Sequence, residues 1–239
     1  MYMDNAFWND AAAQLFFPQR NCMLCGKPID KPGLCPDCND MRRKLLRCQR
    51  CASFLAQTSA NDYCTVCRSN NYGYIQARAA LPYQGSLRDS LLKFKYYGAT
   101  WLRRPLAAVL LDTFTENYDH INFDAIVPVP LAYTRYKKRG YNQSELLCDI
   151  IAAKTGITHF PHLLRRVKDT PPLASYDRDH RIELLNKAFF AYPVAKNKKI
   201  LLIDDIYTTG ATGESCAKAL HMAGATDIYM LTVAAGSNH

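Results

Sequence analysis

The sequence predicts an α/β fold, a largely parallel sheet with flanking helices, preceded by a small metal-binding module. Strand-like and helix-like segments alternate through residues 71–239, which is typical of parallel sheets. An apolar run at residues 200–203 ends in two adjacent carboxylates and then turns through a loop rich in Thr and Gly into a helix. Eight of the ten cysteines form Cys-x-x-Cys pairs near the amino terminus, a spacing that favours metal binding.

Hydrophobic periodicity orders the larger part as strand, helix, helix, strand, helix, helix, strand, helix and strand. The longest patterns are amphipathic; residues 142–154, for example, place Leu146, Leu147, Ile150 and Ile151 on one helical face. A polar stretch at residues 69–72 predicts the boundary between an amino-terminal module, residues 1–70, and the larger domain, residues 71–239. In order, the predicted elements occupy residues 74–83, 86–97, 102–114, 124–130, 142–154, 181–187, 200–203, 214–223 and 227–233.

The carboxylates Asp204 and Asp205 come directly after the strand at residues 200–203, where open α/β sheets place their ligands. The loop that follows supplies hydroxyls and backbone N–H groups, and the next helix, predicted to start at Glu214, points its positive dipole end at the same place. Carboxylates hold ribose hydroxyls and the loop holds a phosphate, so the segment predicts a sugar-phosphate site. The phosphate-binding candidates are Thr208, Thr209, Gly210, Ala211 and Thr212, and the loop lacks the Lys of a P-loop.

The cysteine pairs each aim two thiolates at one point, which is half of a tetrahedral zinc site. Four pairs predict two structural Cys₄ zinc sites, joined either sequentially as a double zinc ribbon, which we favour, or in a cross-braced arrangement that the spacing leaves open. Cys148 and Cys216 stand outside the pairs in helical patterns and are expected to be small core residues. The predicted ligands are Cys22, Cys25, Cys35, Cys38, Cys48, Cys51, Cys64 and Cys67.

Composition bounds the function. The formal net charge of +9 divides into +3 on residues 1–70 and +6 on residues 71–239, so the larger domain suits a polyanion such as a pyrophosphate or a nucleic acid. Residues 1–17 lack the basic start and long apolar run of a signal peptide or membrane span, and a short helix packed on the zinc module is expected there. Unpaired thiolates with metal indicate a reducing compartment, hence the cytoplasm.

Two basic segments extend the predicted site. Four cations follow the strand at residues 124–130 and are candidates for binding pyrophosphate or single-stranded DNA, with Tyr133, Tyr136 and Tyr141 to stack on bases; a solvated loop is the alternative. Residues 165–172 and the arginines beyond them lack periodicity and predict a long mobile loop that closes over the site, or a surface whose arginines aid solubility. The four cations are Arg135, Lys137, Lys138 and Arg139.

Residues 200–213 resemble the phosphoribosyl pyrophosphate (PRPP) signature of type I phosphoribosyltransferases. Carried over by position, the candidate catalytic residues Asp204 and Asp205 would bind the ribose 2- and 3-hydroxyls, and residues 208–212 would cradle the 5-phosphate of Mg²⁺-bound PRPP. The chain as a whole resembles the ComF (ComFC/GntX-like) family, through its Cys-x-x-Cys module with the preceding Leu-Phe-Phe-Pro and the later motifs Val-Pro-Val-Pro-Leu, Arg-Gly-Tyr-Asn-Gln, Lys-Asp-Thr-Pro-Pro and Asp-Asp. One departure is Leu173, where many relatives have Gln.

The resemblance implies a role in natural transformation, with PRPP and incoming single-stranded DNA as ligands and helicase-like and recombination-mediator proteins as partners. Phosphoribosyl transfer to an acceptor that the sequence does not identify is one reading of the site, and PRPP sensing without catalysis is another. A metabolic phosphoribosyltransferase and a non-catalytic zinc-ribbon scaffold are the alternatives to the competence role. The zinc module disfavours the first alternative, and the intact Asp204 and Asp205 disfavour the second.

Overall fold

The computed structural model describes residues 21–55, 62–170, 176 and 178–236. The helix expected within residues 1–17, the Leu-Phe-Phe-Pro motif, Leu173 and the two prolines of the Lys-Asp-Thr-Pro-Pro motif lie outside the described residues. No helix in the described part of the chain is both long enough and apolar enough to span a bilayer.

A four-stranded parallel sheet forms the centre of the larger part. Its strands are β1 (Gln76–Pro82), β2 (Ala125–Pro128), β5 (Lys199–Tyr207) and β6 (Asp227–Ala235), in the spatial order β1-β6-β5-β2. Asp204 pairs with Thr232 in the register of β5 and β6, and Val127 pairs with Leu202 in that of β2 and β5. All strand directions agree, which confirms the parallel sheet predicted from the alternation of elements.

The described residues form eight α-helices, and several of them pack on the two faces of this sheet. In chain order they are α1 (Pro36–Arg43), α2 (Thr65–Ser69), α3 (Gly85–Tyr96), α4 (Arg103–Tyr118), α5 (Tyr133–Arg139), α6 (Gln143–Thr155), α7 (Arg178–Leu184) and α8 (Ala211–Met222). Successive side chains of a strand point to opposite faces. Accordingly Leu201 and Ile203 pack with α3, α4 and α6, whereas Ile200 and Leu202 pack in a second cluster with α8.

A separate antiparallel pair of short strands, β3 (Leu164–Arg166) and β4 (Phe189–Ala191), packs beside α8. This pair corrects the prediction of a mobile loop from residue 165, because Arg165 and Arg166 pair with Phe190 and Phe189 in a ladder. The basic segment after β2 is likewise not a loop but helix α5, with a left-handed Gly140 as its C-cap. A three-residue strand and a two-turn helix are too short to leave a periodic signal.

Two boundaries near the predicted site also differ from expectation. Strand β5 continues through Asp204 and Asp205 to Tyr207, because β6 extends far enough to pair with it. Helix α8 begins at Ala211 rather than at Glu214, since Gly210 has a positive φ of 78° and serves as the N-cap. The expected helix at residues 181–187 begins three residues earlier, at Arg178. Cys148 and Cys216 are fully buried core residues, as predicted.

Candidate functional site: a sheet-edge anion site and two Cys₄ groups

The sheet-edge site consists of the end of β5, the loop at residues 208–210 and the first turn of α8. Asp204 is partly exposed, Thr208 is exposed and Thr209 is partly exposed, so carboxylate and hydroxyl groups face solvent together. The Thr209 hydroxyl accepts the backbone N–H of Ala211 at 3.4 Å, at the start of α8. A helix of twelve residues presents unpaired N–H groups and a positive dipole end here, which favours an anionic ligand.

Asp204 and Asp205 are neighbours in β5 with different partners. Asp204 Oδ1 accepts the Ser144 hydroxyl at 3.0 Å from the start of α6 and the backbone N–H of Asp205 at 2.9 Å. Asp205 is buried, and its Oδ2 lies 3.0 Å from Nζ of Lys95 at the end of α3. The two carboxylates are therefore held by different helices, Asp204 by α6 and Asp205 by α3.

The surrounding residues shift the pKa values of Asp204 and Lys95. Burial, together with the negative charge of Asp205, raises the pKa of Asp204 to about 7, although Lys95 and the hydrogen bonds from Asp205 and Ser144 oppose the shift. Burial works against the charge of Lys95, but the attraction of Asp205 and Asp204 outweighs it, so the Lys95 pKa is raised. Lys95 is therefore a partly buried cation at physiological pH, and Asp204 titrates near neutrality.

Arginines approach the site from the α7 and β3 side. Arg181 Nη1 donates to the Thr208 hydroxyl at 2.8 Å and Arg181 Nε donates to the Tyr176 carbonyl at 2.7 Å. Arg166 donates to the Thr170 hydroxyl, and Arg135 Nη2 donates to the Thr170 carbonyl at 3.1 Å. Burial, followed by the repulsion of Arg135, lowers the pKa of Arg166. The loop and its surroundings therefore bring positive charge to the place where a phosphate would lie.

Helix α5 carries the predicted cations on a solvent-facing surface. Lys137 and Lys138 are exposed, and Lys137 Nζ lies 4.9 Å from the centre of the Tyr133 ring. Arg139 lies over the Tyr96 ring at 5.4 Å and also donates to the Gln143 side chain. The helix buries none of its own residues, so it is available to a partner on most of its circumference.

The tyrosines expected to stack on bases divide into two kinds. Tyr133 and Tyr136 are exposed by 64% and 47%, and Tyr96 and Tyr97, at the end of α3, are exposed by 67% and 78%. Tyr141 instead donates its hydroxyl to the Phe94 carbonyl and packs against the Phe94 ring. The exposed set therefore loses Tyr141 and gains two tyrosines that the sequence analysis did not single out.

The eight cysteines of the Cys-x-x-Cys pairs form two Cys₄ groups, joined in sequential order. The first group contains Cys22, Cys25, Cys35 and Cys38; the second contains Cys48, Cys51, Cys64 and Cys67. Within each group the Sγ atoms all lie within 4.8 Å of one another, which excludes the cross-braced arrangement. The Cys25–Cys35 and Cys51–Cys64 Sγ distances are 3.7 and 3.6 Å, close to the edge of about 3.8 Å of a tetrahedron with Zn–S bonds of about 2.3 Å.

Backbone N–H groups also point at the sulfurs, as thiolate ligands of a metal require. The N–H of Cys35 donates to Cys22 Sγ at 3.3 Å, and the N–H of Cys64 donates to Cys48 Sγ at 3.4 Å. Both groups therefore fit a tetrahedral metal ion, and their closed sulfur shells leave no open position for catalysis. The residues of each group suit a structural ion.

Several residues of the site were not predicted from the sequence. Lys95 and Ser144 reach Asp205 and Asp204 from other helices, and Tyr74 meets Tyr207 below the loop. Arg181 belongs to a segment whose arginines could be interpreted from the sequence either as part of a loop over the site or as surface residues that aid solubility. The sequence spacing between these partners carries no periodic signal, since each pair joins distant segments. The cations of α5 lie on a helix beside the site, and Arg135 shares the partner Thr170 with Arg166.

Comparisons with known proteins agree with this architecture. The chain is 30% identical to competence protein ComFC of Streptococcus pneumoniae, covering 87% of this chain and 96% of that protein. It is 28% identical to competence protein F of Haemophilus influenzae (84% and 90% covered) and 26% identical to the DNA utilization protein YhgH of Salmonella typhimurium (87% and 94% covered). A scan against models of protein families gave no match.

Among solved structures, the chain is similar to a Bacillus subtilis glutamine PRPP amidotransferase, with a TM-score of 0.39, 16% identity, and 59% of this chain and 30% of that chain covered. A likeness of that size says nothing about activity. The fold and the site define an α/β protein with a four-stranded parallel sheet, preceded by two Cys₄ groups. The chain belongs to the ComF family of competence proteins.

Proposed function

We propose that this protein is a competence factor that binds Mg²⁺-PRPP at the sheet-edge site and single-stranded DNA at the tyrosine-rich surface beside it. The observation that carries the PRPP part is the position of the partly exposed Asp204 next to the loop at residues 208–210 and the start of α8. Residues 208–212 cradle the 5-phosphate, and Arg181 of α7 donates a hydrogen bond to Thr208 of the same loop. The names of the relatives support the competence role.

In this proposal the two carboxylates share the ribose unequally. Asp204 is partly exposed and accepts a ribose hydroxyl, whereas Asp205 is 4% exposed at its side chain and is held by Lys95. Asp205 reaches the second hydroxyl only if the ligand approaches from the Lys95 side, where the ammonium also attracts the pyrophosphate. In this proposal Mg²⁺ enters the site bound to PRPP, as part of the ligand. Zinc is the proposed ion of both Cys₄ groups, and thiolate sites of this kind fit the reducing cytoplasm.

Replacement of Asp204 by Asn tests the PRPP site. The change keeps the shape of the side chain but removes a charged acceptor, so we expect the Kd for Mg²⁺-PRPP to rise at least tenfold, about 1.4 kcal/mol, by isothermal titration. Asp89→Asn, on the exposed side of α3, removes the same charge away from the site and should leave the Kd unchanged. Equal affinity in the parent and the Asp204 variant would remove Asp204 from the site.

The pKa of Asp204 adds a pH test. Its folded value of about 7 lies above the ordinary value of about 3.9, so the folded chain holds this proton more tightly than the unfolded chain does. Its contribution to stability is therefore present below about pH 4 and is lost as the pH rises to about 7. Ligand binding uses the ionised form, so affinity should increase between about pH 6 and 8.

The phosphates of PRPP also titrate near pH 6. Asp204→Asn distinguishes titration of Asp204 from titration of the ligand, because the variant lacks the Asp204 carboxylate and the ligand is unchanged. The facing groups that set the Asp204 pKa, namely Asp205, Lys95 and Ser144, stay in place in this variant. A pH profile that is identical in the parent and in Asp204→Asn would assign the titration to the ligand alone.

The DNA part rests on α5 and on the neighbouring end of α3. Exposed tyrosines stack on unpaired bases at about 1–3 kcal/mol per base, and Lys137 and Lys138 attract the phosphates. The double change of Lys137 and Lys138 to Ala should weaken oligonucleotide binding and reduce its salt dependence by about two counterions. The change of Lys31 and Lys44 to Ala is the control of equal charge, on exposed residues of the amino-terminal module.

Fluorescence anisotropy at several salt concentrations measures both quantities. A protein that binds PRPP but no oligonucleotide at low salt would favour a metabolic phosphoribosyltransferase instead. A protein that binds neither ligand would favour the zinc-ribbon scaffold. Incubation with Mg²⁺-PRPP and a DNA oligonucleotide, with release of pyrophosphate as the readout, then decides whether binding is accompanied by transfer.

A further inference from the structure

A pair of buried tyrosines lies directly below the phosphate loop. The hydroxyls of Tyr74 and Tyr207 are hydrogen-bonded at 2.7 Å, and both side chains are at most 2% exposed. Tyr207 is the last residue of β5, so its backbone leads straight into residues 208–210. Tyr74 comes from the other end of the domain, in the segment that precedes β1.

The loop rests on this pair at Gly210. A Cβ atom added at Gly210 would overlap the Tyr207 hydroxyl and lie 3.0 Å from the Tyr74 hydroxyl. The close approach is available only to glycine, which also tolerates the φ of 78° at this position. The height of the loop over the sheet is therefore set by where the two tyrosine hydroxyls lie.

Tyr74 shares its buried core cluster with the second Cys₄ group. Cys48, Cys51, Cys64 and Cys67 belong to the same buried cluster as Tyr74, Tyr207 and Ala211. The chain runs from Cys67, in α2, to Tyr74 in seven residues, and Tyr72 stacks on Tyr74 with ring centres 4.8 Å apart.

Gly73, in the same short segment, also forms hydrogen bonds with helix α8. The Gly73 N–H donates to the Glu214 carboxylate, and the Gly73 carbonyl lies 2.7 Å from His221 Nε2. Glu214 is itself buried and forms an ion pair with Lys218 at 3.1 Å. The segment after the second Cys₄ group thus contacts both the loop, through Tyr207, and the helix whose first turn completes the anion site.

Among the residues that the structure describes, the first Cys₄ group has no comparable connection to the loop. Cys22, Cys35 and Cys38 form a small cluster of their own, and Met23 packs into the cluster on the α4 face of the sheet. Its polar connection, from Arg42 to Glu116, also ends on α4. The two groups therefore lie in different packing environments within the described part of the chain.

We propose that the second Cys₄ group, through Tyr74 and Tyr207, positions the phosphate loop, so that a metal ion in this group is required for phosphate binding at a site 140 residues further along the sequence. Tyr74 and Tyr207 act as positioning residues. The proposal rests on the assignment of the loop as a phosphate site. Because coupling between two sites is reciprocal, a bound phosphate ligand should also slow metal loss from the second group.

The test uses the full-length, zinc-loaded chain with two readouts. One is Mg²⁺-PRPP affinity by titration, and the other is amide hydrogen exchange of residues 208–213, which needs no ligand. Tyr207→Phe removes the hydroxyl and keeps the ring. We expect it to raise loop exchange at least fivefold and to weaken Mg²⁺-PRPP binding about fivefold, with zinc content unchanged.

Tyr118→Phe is the matched control, because Tyr118 is also fully buried and its hydroxyl bonds to the Met230 carbonyl at 3.2 Å on the α4 face. It should lower stability by a similar amount while leaving loop exchange and binding unchanged. Equal loop exchange in the two tyrosine variants would overturn the proposal, whatever the effect on stability.

Cysteine variants address the metal directly. Cys64→Ser, in the second group, should raise loop exchange and abolish Mg²⁺-PRPP binding, whereas Cys35→Ser, in the first group, should leave both as in the parent. If Cys64→Ser does not fold, the comparison of Tyr207→Phe with Tyr118→Phe still tests the proposal. A parent chain that binds no PRPP would defeat the proposed function alone, since loop exchange still reports whether the second group holds the loop; equal exchange in the two cysteine variants would defeat the coupling.

Discussion

The two Cys₄ groups share one sequence motif and differ in what surrounds them. The first group has an exposed ligand, Cys25, and packs only a few apolar side chains of its own. In the second group all four ligands are buried and belong to the core cluster that contains the base of the sheet-edge site. The difference teaches that ligand spacing defines a metal site but not its task, which depends on the core that the site joins.

The largest expected difference concerns removal of metal. A chelator should take one ion at least tenfold faster, from the exposed first group, while the circular dichroism of the sheet domain is retained. Loss of the ion from the second group should coincide with loss of the circular dichroism signal. The reason is that a structural zinc site stabilises the fold around it by on the order of 10 kcal/mol. Dye-detected zinc release, followed together with circular dichroism, measures both steps. Release in a single phase with no spectral change would erase the distinction between the groups.

The connection of the first group to α4 gives the next effect. Arg42 is fully buried and donates to both carboxylate oxygens of Glu116, at 2.8 and 2.6 Å, and to the Thr113 hydroxyl at 3.2 Å. Arg42→Met should cost about 3 kcal/mol in denaturant unfolding, because it breaks a buried ion pair. Arg43 reaches the same Glu116 with a 57% exposed side chain, and Arg43→Met should cost less than about 1 kcal/mol.

The Arg42 variant also sharpens the comparison of the groups. It should speed zinc loss from the first group and leave Mg²⁺-PRPP affinity as in the parent, since α4 does not contact the phosphate loop through any bond described above. An Arg42 variant that lost PRPP binding would show that the first group, too, is coupled to the sheet-edge site.

The smallest expected difference in stability is between variants of two glycines that have a positive φ. Gly26, in the first knuckle, has a φ of 75° and open space around an added Cβ, whereas Gly210 lies against Tyr207 and Tyr74. Gly26→Ala should cost about 1 kcal/mol for backbone strain alone. Gly210→Ala should cost about 3 kcal/mol, since the tyrosine pair must also move. Thermal unfolding of both variants measures the difference, and equal losses would mean that the loop is not supported by the tyrosines.

Much of the fold was predictable because its signals are local. The strand at residues 200–203, the carboxylates after it and the glycine-containing turn are consecutive, so their order alone indicates a ligand site at the edge of a sheet. The short elements were missed: β3 is three residues long and exists only because β4 pairs with it. Helix α5 buries none of its own residues, so its sequence shows cations without an apolar stripe.

The sequence by itself determined the donor atoms of both Cys₄ groups and the chemistry of the sheet-edge loop, because each depends on residues a few positions apart. Only the tertiary structure decided that the cysteine pairs join in sequential order and that the second group shares its core cluster with the tyrosines against which the loop packs. It also decided that Asp204 faces Ser144 while Asp205 faces Lys95, 110 residues away in the chain. The physical reason is that Ser144 and Lys95 lie on two distant helices, α6 and α3, and their positions beside the end of β5 are set by tertiary packing rather than by spacing along the chain.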